Sequence, residues 1–171
     1  MRDEAAGDIA GFAAASIAKG SKSFAAAARL FDAQTRRDVI LLYAWCRHCD
    51  DVVDGQEGGQ GRIASDQTPQ ERIAGLRRDT ERALKGETAD LDPAFLALGE
   101  VARRHAMPLA LFEEHLAGFA LDVEGSRYET LDDLLRYCWH VAGVVGVMMS
   151  LVMSRFVRRF MRAAAHLHAL C

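Results

Sequence analysis

Acidic side chains are missing from the last part of the chain: none follows Asp133, while Arg155, Arg158, Arg159 and Arg162 gather near the C-terminus. Basic residues are not in excess overall. Lys and Arg number 21 against 24 Asp and Glu, a net charge of −3 that argues against nucleic acid as a partner. Four cysteines, Cys46, Cys49, Cys138 and Cys171, are too few and too scattered for a disulfide scaffold and suit a reducing, cytoplasmic compartment. Met1-Arg2-Asp3-Glu4 offers no apolar signal core. No uninterrupted apolar run reaches the roughly 20 residues of a membrane span. The nearest, Cys138 to Met153, carries His140 and reads as a buried helix. Only 3 prolines and 8% aromatics, in a chain rich in Ala and Leu, favour helix over sheet. What is present, 50% hydrophobic residues in 171, is enough for one domain with a proper core.

Helix punctuation recurs along the chain. Thr68-Pro69-Gln70-Glu71 is a capping box with proline at the first helical position, and Gly86 marks the stop. Between them Ile73, Leu76, Thr80, Ala83 and Leu84 form one mostly apolar stripe. Asp92-Pro93 opens a helix to about His105. Pro108 opens another, with Leu111, Phe112, His115, Leu116, Phe119 and Val123 on one side. Thr130-Leu131-Asp132-Asp133 begins a long apolar helix through Met153. Gly55 to Ser65 reads as a flexible loop. No strand alternation persists, so the expected class is all-α.

The segment Arg36 to Asp54 is apolar almost all round, through Val39, Leu41, Leu42, Ala44, Trp45, Val52 and Val53, and so predicts a central, buried helix. Tyr43, Arg47, Asp50 and Asp54 interrupt it, and at 100° per residue they fall within about 60° of one another. Uncompensated carboxylates are expensive to bury, so this stripe should face a cavity. One reading is a helix-surface salt bridge, since Arg47 reaches Asp50 and Asp51 at i+3 and i+4. The other is a hard-cation site. Carboxylates one turn apart, Asp50 and Asp54, can share Mg²⁺ (Mn²⁺ as an alternative) with substrate phosphates, and Arg47 beside them suits a phosphate oxygen.

Asp-x-x-x-Asp alone says little, but its neighbours add to it. Ser21-Lys22-Ser23-Phe24 precedes the helix and Tyr137-Cys138-Trp139-His140-Val141-Ala142-Gly143-Val144-Val145-Gly146 follows it. In that order, from about Ala14 to Met153, the chain resembles the squalene/phytoene synthase family, its phytoene-forming members in particular. The resemblance implies the N-terminal part of an all-α isoprenoid synthase fold. It also implies head-to-head joining of two prenyl diphosphates through a cyclopropyl intermediate, geranylgeranyl diphosphate giving phytoene, with farnesyl diphosphate and a squalene-type product as the alternative. Asp50 and Asp54 would hold Mg²⁺ on a diphosphate. Arg47, Tyr43 and the Ser21-Lys22-Ser23 turn would contact its oxygens. Tyr137, Val141, Val144 and Met148 would line a dry cavity for the allylic cation, with Gly143 and Gly146 allowing close approach. Asp122, in AGFALDVEGSRYET, also matches the family's pattern, without a role that its position alone discloses.

Other constellations give less. Cys46-Arg47-His48-Cys49 has no second ligand pair for zinc and no βαβ context for redox work. His105, His115 and His140 stand singly on helices, and His166 and His168 point apart at i, i+2. The resemblance also has a gap. The family's second aspartate-rich motif, in its C-terminal half, has no counterpart after Asp133. The expectation is a family domain over 1–153 in a truncated or frameshifted reading, followed by a divergent basic tail over 154–171, with slow turnover or none. A rival gives that tail, Arg155, Arg158, Arg159 and Arg162 opposite Phe156, Phe160, Ala164 and Leu167, to a membrane surface, as a peripheral contact. A non-catalytic fragment that only binds diphosphate or membrane is the reading outside enzymology.

Overall fold

The computed structural model describes residues 2–56, 60–61 and 66–154, with side chains from Ile9 onward, and most of the tail lies outside them. The helices are α1 (Arg2–Gly20), α2 (Lys22–Ala28), α3 (Ala33–Asp54), α4 (Pro69–Leu84), α5 (Pro93–His105), α6 (Leu109–Val123) and α7 (Leu131–Cys138). α7 passes without a break into a π-helical turn, Trp139–Gly143, and then into α8 (144–154). There is no strand among the described residues, and the class is all-α, as the sequence predicts.

Local chemistry sets the ends. The Thr68 hydroxyl accepts from the Glu71 amide, and the Glu71 carboxylate accepts from the Thr68 amide at 2.8 Å. Thr130 and Asp133 repeat the arrangement at the start of α7. α3 begins three residues before Arg36 because Asp32 caps it, accepting from the amides of Gln34 and Thr35. It ends at Gly55, which takes the left-handed φ of 64° that glycine adopts without strain.

α3 is central and packs against α1, α2, α4, α5 and α6. Leu41, Leu42, Trp45 and Cys49 are fully buried among Leu98, Val101, Phe112, Leu116 and Met148. The Phe112 ring meets Trp45 edge-on at 5.3 Å. Each fully buried side chain of this size stabilises the fold by roughly 2–3 kcal/mol. α5 closes tightly on α4 at Gly99, where a Cβ would stand 2.9 Å from the Ala83 carbonyl oxygen.

Two polar clamps orient α3. At its start Asp38, 1% exposed, is paired with Arg104, accepts from Gln34 at 3.0 Å and lies 2.9 Å from His105 Nε2. His105 is therefore not the isolated residue that its place in the sequence suggests: it belongs to the α3–α5 clamp. At the other end Arg72 on α4 donates to the carbonyls of Val52 and Val53 at 3.1 and 3.0 Å. A cation there meets the partial negative charge of the helix terminus.

The rod from Leu131 to Ser154 departs from the sequence reading. At 24 residues it is long and apolar enough to cross a membrane by length and composition, because the Leu131–Leu135 turn joins the apolar run. It is also less buried than expected. Val144, Met148 and Val152 are in the core, whereas Leu131, Leu135 and Trp139 are exposed.

Removing Asp38 would leave Arg104 and His105 without their shared partner. Asp38→Ala should lower the unfolding free energy by about 3 kcal/mol, the cost of breaking a buried ion pair from one side. Urea denaturation measures it, and a loss below about 1 kcal/mol would show that the clamp is not a main stabiliser.

Candidate active site

Three parts of the fold line an open cavity of about 330 Å³. α3 contributes Tyr43, Cys46, Arg47 and Asp50. α6 contributes His115, Phe119 and Asp122, and the rod contributes Tyr137, Val141 and Val145. One end is charged, with Arg47, Asp50 and Asp122; Phe119, Val141 and Val145 form an apolar wall.

Arg47 forks between two carboxylates, with Nη1 donating to Asp50 Oδ2 at 2.8 Å and Nη2 lying 2.9 Å from Asp51 Oδ1. The salt-bridge geometry of the first sequence reading is thus present. It leaves Asp54 with no ion pair among the described residues, exposed one turn beyond Asp50 and outside the cavity wall. Burial raises the pKa of Asp50. Arg47 opposes the shift, and Asp54, Asp51 and Asp122 add to it. One guanidinium therefore faces a crowd of carboxylates on two helices, a field that an additional cation would relieve.

Tyr43 shows how the first motif reaches the site. Its ring stacks on Phe24 at 5.1 Å, and a Cβ on Gly20 would collide with its hydroxyl. The Ser21 hydroxyl caps α2 by accepting from the Phe24 amide at 3.2 Å, while Lys22 and Ser23 are exposed. The Ser21-Lys22-Ser23 turn is therefore tied to Tyr43 through Gly20 and Phe24, and its side chains do not line the cavity. Burial raises the Tyr43 pKa, with Arg47 pulling the other way.

Across the cavity the Tyr137 hydroxyl donates to Asp122 Oδ2 at 3.1 Å. Burial, followed by this bond to a carboxylate, pushes the Tyr137 phenol up to about 12. Asp122, for which the sequence yields no role, thus faces Asp50 electrostatically and holds Tyr137.

The π turn changes which residues reach the cavity. In a regular α-helix each step of four residues drifts by about 40°, so Val145 would stand about 80° from Tyr137 and the stripe would continue to Val144 and Met148. The wider π turn takes up that drift. Tyr137, Val141 and Val145 all line the cavity, while Val144 and Met148 are turned into the core. Gly143 lies under the ring of Trp139, where a Cβ would be 2.8 Å from Cε3, and does not line the cavity. Gly146 has open space.

Cys46, His115, Phe119 and Val145 are cavity residues that the sequence does not single out. For two of them the signal was legible: His115, Phe119 and Asp122, at i, i+4 and i+7, share a face of α6. Cys46 and Cys49 are free thiols, and burial pushes Cys46 up to about 12, which makes it inert rather than a ligand or nucleophile. No group of three or more His, Cys, Asp or Glu gathers as a metal cluster among the described residues.

Two expectations follow. Gly20→Ala should destabilise the fold by about 1–2 kcal/mol through displacement of Tyr43, and Tyr43→Phe should recover much of that loss in the double variant. Strict additivity in thermal unfolding would separate the two residues. Burial also lowers the pKa of His48 and of His115. The unfolded chain takes up protons near pH 6.5 that these folded sites refuse, so their contribution to stability is level above about pH 6.5 and lost as pH falls through the folded values. Urea midpoints at about pH 7.5 and 5.5 should show the decline, smaller in His48→Gln. A rise on acidification across that interval would contradict it.

Comparison with known proteins places the chain in a family. The chain is 53% identical over 139 residues to the 15-cis-phytoene synthase of Pantoea ananas, covering 81% of this chain and 45% of that protein. Against the 15-cis-phytoene synthase of Paracoccus sp. it is 52% identical over 138 residues, with the same coverage. A crystal structure of a dehydrosqualene synthase in complex with ligand superposes with a TM-score of 0.70 at 30% identity, over 88% of this chain and 48% of that one. The chain therefore spans about half the length of the relatives it matches. The squalene/phytoene synthase profile matches residues 17–170, which takes in the segment beyond 153 that the sequence reading set apart. With that match over most of its length, the chain belongs to the squalene/phytoene synthase family.

Proposed function

We propose that the cavity is a prenyl diphosphate site and that the activity it serves is the head-to-head joining of two geranylgeranyl diphosphates to phytoene. The observation that carries this reading is the cavity's polarity, with cation and carboxylates at one end and an apolar wall along the rest. A prenyl diphosphate has the same division. The likeness to 15-cis-phytoene synthases at 53% identity supports the C20 substrate over the C15 substrate of a dehydrosqualene synthase, to which the identity is 30%.

Asp50 and Asp54 are the residues that would hold Mg²⁺, or Mn²⁺ in its place. Their hard oxygen donors and the crowding of carboxylates around Asp50 fit a divalent cation that keeps part of its coordination for phosphate oxygens. Such an ion supplies charge that stabilises a departing diphosphate. Arg47 is placed to turn from Asp50 and Asp51 toward the same oxygens. Tyr43 closes the near side, and Tyr137, held on Asp122, closes the far side. Phe119, Val141 and Val145 offer an apolar wall to the allylic cation that ionisation would leave behind. A cytoplasmic site in contact with a membrane surface suits substrates of this lipophilicity and belongs to the same proposal.

Calorimetric titration with inorganic diphosphate tests the metal assignment. Binding should strengthen about tenfold or more when Mg²⁺ is added, and Asp50→Ala/Asp54→Ala should abolish that gain. Equal binding by the double variant would sink the assignment. Product analysis by mass after incubation with C15 and C20 prenyl diphosphates and Mg²⁺ tests the activity, with phytoene as the expected product.

A further inference from the structure

The π turn that aligns the cavity wall is held from α6 at several points: at Glu114 the Trp139 indole donates to the carboxylate at 3.1 Å and His140 Nδ1 lies 3.0 Å from the carbonyl oxygen, and His115 and Gly118 add two more contacts. His115 Nδ1 lies 3.2 Å from the carbonyl oxygen of His140, inside the turn. A carbonyl only accepts, so Nδ1 carries the proton and donates. At Gly118 the two elements come close: a Cβ there would stand 2.9 Å from Val141 Cγ1, 3.1 Å from His140 Cβ and 3.4 Å from the His140 backbone carbonyl carbon. α6 therefore meets the turn where it has no side chain, and His115 supplies a polar link at the same contact. The ring has little freedom. It is 5% exposed, with Trp45 and Phe119 rings at 5.6 and 5.1 Å. Its Nε2 is buried without a hydrogen-bond partner among the described residues, so the bond to His140 is the ring's one polar anchor among them.

A π turn is a local departure from the regular hydrogen-bond ladder and persists where tertiary contacts hold it. Relaxed to an α-helix, the same sequence would swing Tyr137 and Val145 about 80° apart, and they could not both line the cavity. We propose that His115 is a positioning residue for the prenyl chain: its Nδ1–H, held on the His140 carbonyl, keeps the π turn and so keeps Tyr137, Val141 and Val145 in one line along the wall. This inference rests on the reading of the cavity as a prenyl diphosphate site. It assigns His115 no contact with the diphosphate.

That separation provides the test. The chain is titrated, with Mg²⁺ present, with inorganic diphosphate and with a non-ionising geranylgeranyl thiodiphosphate. Three variants divide the ring's two nitrogens. His115→Asn reproduces the donor at Nδ1, His115→Gln reaches only the Nε2 position, and His115→Leu has neither. Inorganic diphosphate should bind all of them to within about twofold of the wild type. The prenyl ligand should bind about tenfold more weakly to the Leu and Gln variants and be retained by His115→Asn, a loss on the scale of one buried hydrogen bond. Gly118→Ala, which presses on the turn without touching that bond, should reproduce the selective loss and serves if a His115 variant does not fold. Circular dichroism checks that each protein titrated keeps its helix content. Unchanged prenyl affinity in every variant overturns the inference. So does an equal loss of both ligands, or a failure of His115→Asn as deep as that of His115→Leu. A wild type that binds inorganic diphosphate but gains nothing from the prenyl chain overturns the positioning role alone. A wild type that binds neither ligand overturns the proposed function.

Discussion

The structure depends on one conflict within α3. The helix is apolar on nearly every side, and Leu41, Leu42, Trp45 and Cys49 are buried against surrounding helices. Yet Tyr43, Arg47 and Asp50 share a narrow face of it, and charge there has to keep access to water or to a ligand. The packing resolves this by leaving a cavity along that face. α1, α2, α4 and α5 pack on its other sides. α6 and the π-containing rod stand off from the stripe and line the cavity. The site is therefore the part of the core that could not be filled with side chains.

Holding such a stripe in place requires a rigid helix. The Asp38 clamp secures the start of α3 and Arg72 caps its last carbonyls, so the carboxylates near its end sit on a backbone tied to both α5 and α4. On the facing side the Asp122–Tyr137 bond ties α6 to the rod. The electrostatics of the site then follow from position. Asp50 feels Asp54 and Asp51 from its own helix and Asp122 because the fold brings α6 close to α3, and Arg47 offsets only part of their field.

Much of this was legible from residue order. The capping box at Thr68, the Asp92-Pro93 start, the helix start at Thr130 and the stop at Gly86 are local events, decided within one turn of chain, and the structure has each of them. The polar stripe of α3 was legible for the same reason, since 100° per residue converts spacing directly into direction. The line of sight failed where a second helix decides. Asp38 reads as an ordinary charged residue until Arg104 and His105 arrive from 66 and 67 residues away. Gly143 reads as a gap for substrate until the turn places it under Trp139.

The register of the long C-terminal rod marks the boundary most clearly. The sequence determines that residues from Leu131 to Ser154 form one apolar helix, because a capped start leads into an apolar run that no proline interrupts. The same run extrapolates to a regular stripe of Tyr137, Val141, Val144 and Met148. Only packing against α6 inserts the π turn, because Gly118 and His115 offer a surface and a donor that the rod cannot supply from its own sequence. That single extra residue in one turn sends Val144 and Met148 to the core and Val145 to the cavity. The chain's own periodicity determined its helices and its charged stripe, and its motifs carried the resemblance to its family. Which side chains face one another across the cavity was decided by contacts between segments far apart in sequence, whose energies no local window contains.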